Sequence, residues 1–163
     1  MVGGVKQLLL ICAVLAGGCA STPKVVPNSP EAKAAIEAAI RKAAKKPTGE
    51  LTQADLEKVT KLNLGGNKLT DVKGLEKLTK LKDLGLHENQ LTDVPKGLEK
   101  LTQLKKLYLY DNQLTSVKGL EKLTQLEWLY LNNNQLTSAK GLEKLTQLER
   151  LSLKNNPDLT KSQ

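Results

Sequence analysis

The sequence predicts an α/β solenoid with about five short parallel strands and an N-terminal helical cap. From Leu62 onward a unit of 22 residues recurs, lengthened once to 23 by the insertion of Pro95. Each unit begins with two leucines separated by one residue, which is the period of a strand with one buried face. Since leucine dominates the apolar residues, we expect stacked turns that share one continuous leucine core.

Residues 1–18 have the three-part layout of a secretory signal peptide, with Lys6, an apolar run and a small-residue end. The apolar run is too short to span a bilayer as a free-standing helix. Cys12 and Cys19 are the only cysteines, so the repeats contain neither a disulfide nor a cysteine metal site.

The segment Leu-Ala-Gly-Gly-Cys, which ends at Cys19, resembles the lipobox of bacterial lipoproteins, with its leucine one position early. The resemblance implies that Cys19 becomes the first mature residue and carries the lipid. Because Ala20 follows instead of aspartate, the resemblance also implies anchoring to the outer membrane if the host is Gram-negative. An ordinary signal peptide with a chance cysteine is the alternative.

Residues 19–29 predict an extended tether, since they hold two prolines and no periodicity. The net charge of +8 is concentrated near this end of the chain, because residues 50–163 account for only +3. In the main domain basic and acidic residues are interspersed, as on a solvated surface. We therefore expect no nucleic-acid binding.

The first cap helix is predicted over residues 30–46. Ser29 is a hydroxyl N-cap, Pro30 occupies the first helical position, and Pro47 stops the helix. Alanines and isoleucines at helical spacing form one buried face. Membrane-surface binding by this helix is the alternative, although alanine offers little apolar surface for it.

A second short helix is predicted after the first one. Thr52 and Asp55 have the spacing of a reciprocal N-terminal cap. The cap is therefore expected to span residues 30–61, and the repeats residues 62–163.

Each of the four complete repeats contains Leu-x-Leu-x-x-Asn-x-Leu, the leucine-rich-repeat signature, which predicts a horseshoe-shaped arc. The segment Gly74–Leu78 and its copies are expected to return on the convex side as short helical or 3₁₀ turns. The recurring asparagine amides are expected to bond the backbone of neighbouring turns. These asparagines are Asn67, Asn89, Asn112, Asn134 and Asn156.

The 22-residue unit resembles the leucine-rich-repeat subclass of bacterial internalins and of a eukaryotic protein-phosphatase regulator. The first helix followed by "PTGELTQADLEKVTKL" resembles the internalin N-terminal cap. The resemblance covers about residues 28–159 and implies protein–protein recognition. The cell-wall anchor of internalins is not visible in this sequence, and we interpret the lipobox as taking over its role. We expect no C-terminal cap after "NNPDLT", and hence weak self-association through an open strand edge.

The residues beside the strand leucines are expected to face the concave side, and all four aromatic residues are among them. Tyr108 should lie beside Tyr130, and Trp128 between Lys106 and Arg150. Exposed aromatic and arginine side chains on a rigid surface are typical of binding hot spots; stabilisation of the sheet alone is the alternative. The predicted ligand-binding residues are Asp83, His87, Glu88, Tyr108, Tyr110, Asp111, Trp128, Tyr130 and Arg150.

Catalytic and metal-binding patterns are absent from the sequence. His87 lacks a three-ligand set and a nucleophile to activate, and Gly65–Gly66 is interpreted only as widening the first turn. We therefore predict a non-catalytic bacterial envelope protein without cofactor or metal, which binds a protein partner. A glycan-binding lipoprotein and a purely structural envelope component are the alternatives.

Overall fold

The computed structural model describes residues 27–159. The predicted signal peptide, Cys19 and most of the predicted tether lie outside this range. No helix in the described range has the length and apolar character needed to cross a membrane. The α-helices are α1 (Pro30–Ala43) and α2 (Gln53–Leu56), and the strands are β1 (Lys61–Asn63), β2 (Asp83–Gly85), β3 (Lys106–Tyr108), β4 (Trp128–Tyr130) and β5 (Arg150–Ser152).

Helix α1 begins where the sequence predicts, since the Ser29 hydroxyl accepts a hydrogen bond from the Ala32 amide at 3.2 Å. Its apolar face is formed by Ala32, Ile36 and Ile40, which are buried in the same core as the leucines. The prediction that this helix packs on the next elements is therefore confirmed.

The C-terminus of α1 differs from the prediction: the helix ends at Ala43, not at residue 46. Lys45 adopts a left-handed backbone with φ of 55°. The Lys46 amide then bonds back to the Arg41 carbonyl, and the Lys45 amide to the Lys42 carbonyl. This is the Schellman arrangement, which closes the helix before Pro47 is reached.

Helix α2 has the reciprocal cap predicted for it. The Thr52 amide donates to the Asp55 carboxylate at 3.1 Å, and the Asp55 amide donates to the Thr52 hydroxyl at 3.3 Å. The carboxylate also accepts from Lys46 at 2.7 Å and from Lys58 at 3.0 Å. These partners, Lys46 first, hold the pKa of Asp55 well below its usual range.

Asn28 binds the chain ahead of α1 to the first repeat, a contact that the sequence does not predict. Its side-chain oxygen accepts from the amides of Thr70 at 2.8 Å and Asp71 at 3.1 Å. Its side-chain nitrogen donates to the Asp71 carbonyl at 2.7 Å. The cap is thus joined to the repeats by polar bonds as well as by apolar packing.

The five strands form one parallel sheet in the order of the sequence. The register places leucine beside leucine, with Leu84 paired to Leu107 and Leu107 to Leu129. These leucines are fully buried, whereas Leu151 on β5 is 45% exposed. Among the described residues β5 pairs only with β4. This is the open edge through which the sequence predicts self-association, which stays a prediction.

Buried asparagines connect consecutive turns, as predicted. The Asn112 side-chain nitrogen donates to the Leu86 carbonyl of the preceding turn at 2.9 Å and to the Leu109 carbonyl at 3.1 Å. Its oxygen accepts from the Leu91 amide at 3.1 Å. Asn67 differs, because the cap precedes it: it is half-buried, and its side-chain nitrogen bonds within its own turn. Equivalent inter-turn bonds are made by Asn89, Asn134 and Asn156.

The return segments are short 3₁₀ helices, as predicted: Leu75–Lys77, Leu98–Lys100, Leu120–Lys122 and Leu142–Lys144. The glycine before each one has a positive φ, which is 103° at Gly119, a value that glycine adopts without strain. The glutamate two residues later accepts from the glycine amide, as Glu121 does at 2.6 Å. Hydrogen bonds from the backbone amides of Glu121 itself and of Gly119 lower the pKa of Glu121. The repeated Gly-Leu-Glu string is therefore explained by this turn.

Replacing Asn112 by alanine should destabilise the protein by about 2–3 kcal/mol, because buried backbone groups of two turns lose their partners. The free energy of unfolding can be measured in urea with the fluorescence of Trp128. The adjacent Gln113→Ala provides the control, since this side chain is exposed. Equal stabilities for the two variants would contradict the role given to the asparagine.

Replacing Asp55 by asparagine should destabilise the fold at neutral pH and much less in acid. Because the folded-state pKa of Asp55 is depressed, its carboxylate stabilises the fold above the unfolded-state pKa of about 3.9. This stabilisation is lost as the pH falls from about 5 towards the folded-state pKa. Thermal unfolding between pH 7 and pH 3 measures the difference in stability between wild type and variant, and Asp158→Asn is the control at an exposed position. A stability difference that is the same at every pH would contradict the prediction.

Candidate functional site

We use the name aromatic face for the side chains of β2–β5, and of the residues just after them, that lie opposite the leucine core. The four aromatic residues of the chain are on it, and none belongs to the core cluster. They are half-buried rather than exposed, because they pack against one another and against charged neighbours. The face consists of Asp83, His87, Glu88, Lys106, Tyr108, Tyr110, Asp111, Trp128, Tyr130 and Arg150.

Tyr108 and Tyr130 form a stacked pair at the centre of the aromatic face. The register places them side by side on β3 and β4. Their ring centroids are 5.4 Å apart and their planes differ by 7°. Burial, and then the charge of Asp83, raise the pKa of the Tyr108 phenol, so Tyr108 is neutral at physiological pH.

Trp128 is held between two cations. The Lys106 ammonium lies 3.6 Å from the centroid of its ring, and the Arg150 guanidinium carbon lies 4.5 Å from it. Since Lys106 comes from β3 and Arg150 from β5, they cover opposite faces of the indole. Cation–π contacts of this kind contribute about 0.5–2 kcal/mol each. The sequence predicts Lys106 as a neighbour of Trp128, but the predicted site does not include it.

His87 stacks on Tyr110, with ring centroids 4.7 Å apart and planes 13° from parallel. On its other side it lies against Gly65, where an added Cβ atom would collide with the His87 Nε2. Gly65 thus has a more specific role than the widening of the first turn that the sequence predicts, since it makes room for the imidazole. Within residues 27–159, the buried Nδ1 of His87 has no hydrogen-bond partner.

The two acidic residues after the strands differ in their surroundings. Glu88 and Asp111 both have a left-handed backbone with φ of 54°. The Asp111 carboxylate accepts from the side-chain amide of Asn133 at 2.5 Å, and Asn133 in turn accepts from Asn155 at 2.6 Å. Asp111 is thus part of a row that joins three turns, whereas Glu88 is exposed.

The geometry brings all nine predicted site residues to one side of the sheet. It also adds Asn63, whose side-chain oxygen accepts from the Gly65 amide at 3.0 Å and lies over Gly85. Its position in the column of Gly85 and Tyr108 is the signal that could have identified it.

In the part of the chain that the structure describes, no three His, Cys, Asp or Glu side chains are grouped to hold a metal ion. Stacking rings and flanking charges are suited to binding another molecule.

Comparison with protein families gives two matches. The profile described as "Leucine rich repeat" matches residues 79–136. The profile described as "Leucine Rich repeats (2 copies)" matches residues 57–100 and 124–162. A comparison with curated proteins finds no significant match.

Solved structures of similar proteins include two internalins of Listeria monocytogenes. The internalin inlF is 34% identical over 83% of this chain, with a TM-score of 0.71, and internalin C2 is 30% identical over 74%, with a TM-score of 0.56. A leucine-rich-repeat protein of Leptospira interrogans is 37% identical over 60%, with a TM-score of 0.57. The chain spans 41%, 64% and 26% of these three proteins, respectively.

Replacing Gly65 by alanine should displace the His87 ring from Tyr110, because the new methyl group would occupy its place. The expected destabilisation is about 0.5–1.5 kcal/mol, the contribution of one aromatic pair. Thermal unfolding and the NMR ring-current shifts of the His87 protons measure both effects. Lys154→Ala, an exposed position after β5, is the control. Unchanged His87 shifts in the Gly65 variant would contradict the packing described.

Proposed function

We propose that this chain, which belongs to the leucine-rich-repeat family, is a non-catalytic envelope protein that binds a protein partner through the concave face of its repeats. Leucine-rich-repeat domains are commonly protein-interaction modules and generally not enzymes. The observation that carries the proposal is the aromatic face. There Tyr108, Tyr130 and Trp128 are held in place by the sheet and by flanking charges. Tyrosine, tryptophan and arginine are the residues most enriched in binding hot spots.

Differences among the repeats support the same proposal. The string Gly-Leu-Glu-Lys-Leu-Thr is identical in four copies, and the 3₁₀ turn accounts for its glycine and glutamate. The positions on the aromatic face vary from turn to turn, from Gly85 to Tyr108 and Tyr130 in one column. A sheet selected only for stability has no need of such variation at one face.

A protein ligand is favoured over a glycan by the contacts of Trp128. Sugar rings stack on a free aromatic face, whereas Lys106 and Arg150 cover both faces of this indole. Tyr108 likewise covers one face of Tyr130. The ring edge of Trp128 and the charged groups around it are better suited to the mixed polar and apolar surface of a protein.

The envelope location rests on Cys19 and the residues before it, which lie outside the described range. In this proposal the acylated Cys19 anchors the protein, and residues 20–29 connect it to the cap. A second acyl chain is needed for stable anchoring, because one chain alone gives only marginal membrane binding.

The combined variant Tyr108→Ala/Trp128→Ala/Tyr130→Ala should lose the partner that wild type captures from cross-linked envelope extract. We expect affinity to fall by at least roughly tenfold, since hot-spot residues contribute 2 kcal/mol or more each. Gln103→Ala/Gln125→Ala/Gln147→Ala is the matched control, because these exposed residues recur three positions after the 3₁₀ return segments. Circular dichroism first checks that both variants fold. Capture of the same partner by all three proteins would show that the aromatic residues only stabilise the sheet.

The chemical class of the partner can be determined in the same experiment. Protease treatment of the extract should abolish capture, and added cell-envelope oligosaccharides should leave it unchanged. Capture that survives protease treatment but is abolished by the oligosaccharides would indicate that the ligand is a glycan.

Cys19→Ser should abolish incorporation of labelled fatty acid and release the protein from the membrane fraction. Cys12→Ser is the matched control, because it alters the other cysteine of the chain and leaves Cys19 in place. We expect the control to be acylated like wild type. Acylation that survives the Cys19 substitution would contradict lipid attachment at this residue.

A further inference from the structure

The two cations beside Trp128 are directed at the indole instead of at carboxylates. Lys106 is paired in register with Asp83, yet its ammonium lies over the indole. In residues 27–159, neither Lys106 nor Arg150 forms an ion pair within 4.0 Å. Both therefore keep hydrogen-bond donors that an external acceptor can use.

Contact with Trp128 also brings the Arg150 guanidinium against the indole, 4.5 Å from the ring centroid. A guanidinium that lies against an aromatic ring leaves the N–H groups around its own edge free to donate. This fork matches the two oxygens of a carboxylate, and such charge-assisted pairs are about twice as strong as neutral hydrogen bonds. Arg150 is exposed, so an external carboxylate can reach it.

The spacing of the two cations defines the ligand further. The contacts of 3.6 and 4.5 Å on opposite faces of one ring place the two cationic centres within about 8 Å of each other. Alternate side chains of an extended peptide point to the same side and are about 6.7 Å apart. Two carboxylates separated by one residue can therefore engage Lys106 and Arg150 together.

We propose that the protein partner binds here through an extended acidic segment, with carboxylates at alternate positions on Lys106 and Arg150 astride Trp128. This inference rests on the proposed function and specifies the chemistry of its partner. The residue between the two acids faces away from the sheet. The Tyr108–Tyr130 stack lies beside this segment, in the next column of the sheet, and supplies the apolar part of the contact.

A discrete acidic peptide fits this face better than a nucleic acid does. Asp83, Glu88 and Asp111 lie around the same rings and repel a continuous polyanion, whereas two placed carboxylates avoid them. Base stacking also requires a free ring face, and both faces of Trp128 are covered.

A random-peptide display library tests the inference even before the partner has been identified. The full wild-type chain should enrich peptides with two aspartate or glutamate residues separated by one position. Lys106→Gln/Arg150→Gln should lose this enrichment, and Lys118→Gln/Lys140→Gln should retain it. The control removes the same charge from exposed positions before the 3₁₀ turns.

Affinities of the enriched peptides provide the quantitative readout, through the fluorescence of Trp128. The Lys106/Arg150 variant should bind them roughly tenfold or more weakly, as expected for the loss of charged hydrogen bonds. High salt should weaken wild-type binding in the same direction.

Failure of this inference can be told apart from failure of the proposed function. Enrichment by wild type of peptides without acidic residues, no enrichment at all, or acidic peptides bound equally by the Lys106/Arg150 variant would each overturn the acidic-segment inference. If peptides lacking acids are still lost by the Tyr108/Trp128/Tyr130 variant, the binding face stands and only the ligand chemistry is wrong. If that variant binds every peptide as wild type does, the proposed binding face fails as well.

Discussion

The hydrogen bonds of the buried asparagine carboxamides are the interaction on which the stack of turns depends. The chain leaves each strand through a tight turn whose backbone groups are enclosed by leucines. Left unpaired, each such group would cost about 1–3 kcal/mol. Asn112 satisfies groups of its own turn and of the preceding one, and so fixes their separation. A single repeat has neither this contact nor the shared leucine core. The turns therefore fold cooperatively, because each one needs its neighbours.

The aligned turns convert sequence spacing into surface columns. Because every strand has three residues and pairs in the same register, side chains one repeat apart become neighbours on the sheet. Tyr108 therefore meets Tyr130, and Trp128 meets a cation on each side. A surface ordered in this way before binding loses little conformational entropy when a partner arrives. The same leucines and asparagines that hold the fold together thus prepare the aromatic face.

Much of this arrangement can be predicted from the sequence, because the repeat fixes both the strand period and the register. The strands, the 3₁₀ returns and the neighbours of Trp128 follow from counting along the chain. The partner that a side chain contacts, where several lie within reach, cannot be predicted in this way. The sequence places Lys106 beside both Asp83 and Trp128, and only the structure shows that its ammonium lies over the ring. The fit of His87 against Gly65 likewise depends on the distance between the imidazole and the glycine backbone. The early end of α1 depends on the left-handed backbone of Lys45.

The central claim, that the aromatic face is the binding surface, is tested most directly by hydroxyl-radical footprinting of the unmutated chain, alone and bound to its captured partner. The method reports the solvent access of individual side chains, so it requires no substitution that could alter the fold. Our account predicts that labelling of Tyr108, Trp128 and Tyr130 falls on complex formation, while Leu151 at the sheet edge is unchanged. Protection confined to Leu151 or to the 3₁₀ returns, with the three aromatic residues labelled as in the free protein, would contradict it.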